Sequence, residues 1–154
     1  MNAAFSASPR AQAIELPGHD QVPSSRRPVI DIEGVGDHYS RRLQDVGVRT
    51  IGDLATADIR VLAQKLDVPE QIIQNWRSMG QLIDVWGIGP QFAELLIRCN
   101  VRSVRELAEC DPQELLARIL LTTSERMVRI QGAPVGARHV ENWIEAARRY
   151  SAGQ

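Results

Sequence analysis

Apolar positions along this chain fall at the three-and-four spacing of helices, and one apolar and glycine pattern occurs twice. Ile32-Glu33-Gly34-Val35-Gly36 opens a segment that recurs as Val85-Trp86-Gly87-Ile88-Gly89, an offset of 53 from Gly34 to Gly87. The register then pairs Leu43 with Leu96, Val48 with Val101, Thr50 with Ser103, and Ile51 with Val104. It continues through Leu54 and Leu107, Asp58 and Asp111, Leu62 and Leu115. Such a repeat predicts one supersecondary unit used twice and packed against its copy.

Within the unit, Tyr39, Leu43 and Val46 form a helix stripe, and Gly47 is the left-handed C-cap expected to end it. Thr50 to Asp53 reads as a capping box, and Ser103 to Glu106 as a better one. Asp58 and Asp111 are the next N-caps, with Pro112 suited to the first helical position. Each repeat closes on a longer amphipathic helix. Ile72, Ile73, Trp76, Met79 and Ile83 make the buried face of the first, and Val140, Trp143, Ile144 and Ala147 that of the second. Asn75-Trp76 and Asn142-Trp143 occupy one position at an offset of 67, so the 14 extra residues (67 less 53) fall around Leu120 to Gly136. No alternating strand pattern appears.

The fold expected is therefore all-α: a compact bundle of short helices over residues 30–151, with repeat one at 30–83 and repeat two at 84–151. Serines, prolines and Gly18 break up residues 1–29, which read as a disordered tail whose one apolar cluster is Ile14-Glu15-Leu16.

Charge narrows the function. The formal net charge is −1 and residues 30–154 hold 15 Lys+Arg against 17 Asp+Glu, so no global cationic field draws in nucleic acid. Seventeen of the 18 cations are arginine, a skew from which no function is read. No apolar run approaches the roughly 20 residues of a membrane span. The N-terminus lacks a basic-then-apolar leader, and Cys99 and Cys110 fit two reduced thiols, so the expected location is cytoplasmic. His19, His38 and His139 have no ligand spacing, so no metal and no cofactor is expected. Ser40 lacks recognisable His and Asp partners, and Asp53 and Asp58 are better read as caps, so no catalytic residue is expected.

Gly-x-Gly between two helices permits backbone angles closed to other residues and a close helix crossing. It also turns successive N–H groups outward at the start of the following helix, which suits a phosphate oxygen. The segments Ile32 to Leu43 and Trp86 to Leu96 resemble the helix-hairpin-helix motifs of DNA repair and recombination proteins. The span from about residue 30 to residue 150 resembles a bacterial and archaeal tandem helix-hairpin-helix family labelled a domain of unknown function. That resemblance implies a non-catalytic module that binds the DNA backbone without reading sequence, or an adaptor on DNA-processing machinery. The candidate contact residues are the hairpin glycines Gly34, Gly36, Gly87 and Gly89, with His38, Arg41 and Arg42 in the first copy and Gln91 and Arg98 in the second as this chain's own donors and charges. The chain departs from the Pro-Lys that commonly follows such hairpins: Asp37-His38 and Pro90-Gln91 stand there, and Glu94 precedes Arg98. The expected partner is DNA backbone, held weakly and with strong salt dependence. The alternative is a protein–protein adaptor that binds through its tail or a helix face, with the hairpins as turns only. Neither a membrane nor a small-molecule substrate is expected.

Overall fold

Eight α-helices, four of them opened by a side-chain cap, form among the residues described by the computed structural model, which are 23–123, 129–130 and 133–153. The first four are α1 Gly36–Asp45, α2 Ile51–Thr56, α3 Ile59–Leu66 and α4 Glu70–Leu82. The second four are α5 Pro90–Arg98, α6 Val104–Glu109, α7 Pro112–Thr122 and α8 Ala137–Ala152. The repeat is thus a four-helix unit. α2 and α6 are displaced by the expected 53 residues, and α4 and α8 begin 67 apart.

The caps carry out their predicted work. Asp53 N–H donates to Thr50 Oγ1 (3.0 Å), and the Asp53 carboxylate accepts from the N–H groups of Thr50 (3.1 Å) and Arg49 (3.0 Å). This first box is the complete one. In the second, Glu106 N–H donates to Ser103 Oγ, but the Glu106 carboxylate accepts from Arg102 N–H instead of Ser103. Asp58 and Asp111 cap α3 and α7 by accepting from Val61 and Glu114. α1 and α5 end alike: Gly47 (φ 89°) and Asn100 (φ 66°) turn left-handed, and the next N–H bonds back to Leu43 or Leu96.

The N–H donors at Arg49 and Thr50 hold the Asp53 carboxyl below the usual carboxylate range. A lowered folded value means that its stabilisation is present above the unfolded value and fades as pH falls through the folded one. Asp53→Asn is therefore expected to flatten the acid side of the melting-temperature profile between about pH 5 and pH 3, read by circular dichroism. An unchanged acid slope would contradict the box.

Equivalent positions of both repeats meet in one continuous core. Leu43 and Leu96, Leu54 and Leu107, and Ile73 and Val140 are all buried to 0% exposure. Trp76 and Trp143 join them, which removes both indoles from any base-stacking surface. The expected face of α4 holds for Ile73, Trp76, Met79 and Ile83, but Ile72 remains 38% exposed.

Three features depart from the sequence reading. Residues 1–22, including Ile14-Glu15-Leu16, lie outside the described residues. The packed chain nevertheless reaches back to Pro23 instead of starting at residue 30. Val29 is fully buried, its N–H donates to Arg49 O, Arg27 O accepts from Ile51 N–H, and Pro28 bridges Thr50. Asp84, between the repeats, accepts from Ser24 N–H (2.8 Å) and from the Tyr150 hydroxyl (3.1 Å). Burial first and Asp84 second push that hydroxyl's pKa up. Finally, the insertion around 120–136 holds a small antiparallel ribbon, β1 Arg129–Ile130 and β2 Ala133–Pro134, which no sequence pattern announced.

Candidate functional site

Each hairpin is built on an aromatic seat. Ile32 and Val35 of the first, and Val85 and Ile88 of the second, bury their side chains and leave the glycines at the surface. The leading glycines turn alike, Gly34 at φ 93° and Gly87 at φ 89°. A Cβ on Gly34 would lie 3.7 Å from Trp76 Nε1, and one on Gly87 3.5 Å from Trp143 Cδ1. Those are ordinary contacts, so the leading glycines are required by their backbone angle and not by collision. Beside each seat a second ring packs: Tyr39 on Trp76 with centroids 5.3 Å apart, and Phe92 on Trp143 at 5.1 Å.

The trailing glycines differ. Gly36 keeps a left-handed φ of 63°, whereas Gly89 is an extended N-cap at φ −90° that any residue adopts. A Cβ on either meets nothing within 4 Å. Neither Val35 nor Gly89 provides a side-chain cap, so the first-turn amides of α1 and α5 lack that acceptor. Pro90 removes one of these donors in α5.

The cations around these amides are largely occupied. Arg42 turns inward and donates to the Leu66 carbonyl (2.9 Å) and the Lys65 carbonyl (2.7 Å), closing the C-terminus of α3. It is thereby withdrawn from the proposed phosphate set. Arg98 pairs with Glu94 at 3.7 Å. His38, Arg41 and Gln91 stand exposed with no hydrogen bond or ion pair among the described residues. Exposed carboxylates from Glu33 and Asp37 flank the same amides of the first hairpin.

Sequence reasoning missed a system of arginine caps. Arg77 donates to the Leu54 carbonyl (3.0 Å) and to that of Ala57, closing α2. Arg148 does the same for α6 through the Ala108 carbonyl (3.1 Å), and Arg118 for α5 through the Cys99 carbonyl (2.7 Å). Helix ends leave carbonyls without intrahelical partners, and a planar fork of donors suits two of them at once. The arginine skew and the short helices together were the available signal. Near the end of α8, Arg148 serves α6, while Arg149, in the last turn, pairs with Glu145 (3.3 Å).

Cys99 is buried and Cys110 half-buried, and burial pushes both thiols up, away from a reactive thiolate. Among the described residues no cluster of three or more His, Cys, Asp or Glu is placed to hold a metal ion, and no helix is long and apolar enough to cross a membrane.

A family model described as "Domain of unknown function (DUF4332)" matches residues 32–150, a span that takes in both hairpins, all eight helices as far as Tyr150, and Asp84 between the repeats. No curated protein and no solved structure matches the chain.

Proposed function

We propose that this chain, which belongs to the DUF4332 family of domains of unknown function, is a non-catalytic interaction module whose partner is another protein and whose glycine hairpins are structural turns. The occupation of the hairpin cations supports this reading above all else. Arg42 closes α3 and Arg98 is paired with Glu94, while exposed Glu33 and Asp37 flank the first hairpin in the chain. Phosphate binding draws its affinity from cations that displace counterions, and of the three predicted arginines Arg41 alone has no partner among the described residues. On this reading the domain works in the cytoplasm with both thiols reduced.

A second reading is kept for the first hairpin alone. The finer likeness to helix-hairpin-helix modules of DNA repair and recombination proteins supports it, as does the open space around Gly36 beside exposed His38 and Arg41. Fluorescence anisotropy with labelled duplex and single-stranded DNA at low and moderate salt separates the two. The expected result is no saturable binding, while Arg42→Ala lowers stability by about 1 kcal/mol through the lost α3 cap. Saturable binding that weakens steeply with salt and disappears in Arg41→Ala would replace the protein partner with a phosphate backbone.

A further inference from the structure

We infer that the groove between the two repeats docks a short peptide segment in which an arginine or lysine stands beside a large apolar side chain. This deepens the interaction-module reading and rests on it. The groove has a volume of about 500 Å³, room for a few side chains and not for a folded surface. Tyr39, Ile72 and Met79 from repeat one and Ile97 from repeat two form its floor. Ile72 is the residue that the helical stripe assigned to the core and that stays 38% exposed; here it faces open space.

The rim carries Glu33, Asp67 and Glu94 against Arg98 alone. Glu33 and Asp67 are exposed and have no ion pair or side-chain hydrogen bond among the described residues. Arg98 sits 3.7 Å from Glu94 with both side chains well exposed, a contact that contributes little and yields readily to a competitor. An apolar floor under a net-negative rim repels phosphate and suits a cationic side chain whose neighbour fills the floor. Arginine answers it best, because its planar fork pairs with carboxylates and stacks on a ring such as half-buried Tyr39.

The test immobilises the full chain and selects from a phage-displayed library of random peptides about 12 residues long, a span of roughly 40 Å when extended. The expected outcome is enrichment of peptides with arginine or lysine next to aromatic or branched aliphatic residues. Binding of the selected peptide should weaken roughly tenfold or more in Glu33→Lys/Asp67→Lys and severalfold in Ile72→Ala, with helical content unchanged. Enrichment of acidic peptides overturns the inference. So do cationic peptides whose affinity ignores all three substitutions, although these leave the module reading standing. Self-association that Glu33→Lys/Asp67→Lys abolishes, read by sedimentation, puts a second copy in the groove and also overturns it. No selected peptide together with saturable DNA binding removes the module reading itself.

Discussion

Leu43→Ala and Leu96→Ala are each expected to cost about 2–5 kcal/mol of folding stability, and each to shift the unfolding of the whole domain. The two leucines are repeat equivalents, both at 0% exposure and both in the one core that joins the repeats. Truncating either removes the transfer free energy of three carbons and leaves a cavity that its neighbours fill only in part. Because that core is shared, damage in one repeat cannot be confined to it. Urea titrations followed by far-ultraviolet circular dichroism and by tryptophan fluorescence should therefore give one coincident transition in both variants. The indoles report from both halves, Trp76 in repeat one and Trp86 and Trp143 in repeat two. Two separated transitions, with Leu43→Ala moving only the first, would mean that the repeats are independent units.

Gly80→Ala should destabilise by up to about 2 kcal/mol although alanine is the better helix former. The helix-propensity gain is about 1 kcal/mol, and overpacking a filled core costs about 1–3 kcal/mol. Gly80 lies inside α4, where an added Cβ would come within 2.5 Å of the Ile51 Cγ2 methyl on α2. Ile51 is itself buried and cannot swing aside freely. The second repeat shows how the conflict is relieved: at the offsets of 67 and 53, Ala147 replaces Gly80 and Val104 replaces Ile51. In an Ile51→Val background the shorter side chain has room to retreat, and Gly80→Ala should then cost less than the sum of the single changes. A double-mutant cycle measures that coupling directly. Strict additivity would mean that the methyl contact does not set the preference for glycine.

What was legible in the sequence was what the chain decides locally. The cap at Thr50 is read by Asp53 three residues on, and the left-handed end at Gly47 answers α1 immediately before it, so both could be placed from spacing. The duplication added the pairing of distant positions and with it the core. Arg42 was illegible because its partners lie on α3, more than 20 residues away, and one turn after a hairpin a free cation and a helix cap look identical. The packing of residues 23–29 was hidden for the same reason: Ser24 finds its acceptor 60 residues further on, at Asp84. Ile72 was misplaced because periodicity gives the apolar face of a helix and not what covers it. Only the arrangement of α1, α4 and α5 shows that this edge of α4 opens on a groove.

Asp84 has an architectural consequence. The first and last packed stretches of the domain both hydrogen-bond its carboxylate, so the polypeptide enters and leaves the domain within a side chain's length of a single point. A unit threaded in this way can hang as a lobe from a host chain, inserted in a surface loop, without forcing the host's own path apart. Ser24 and Tyr150, 126 residues apart in the chain, are thus held at one pole of the packed helices.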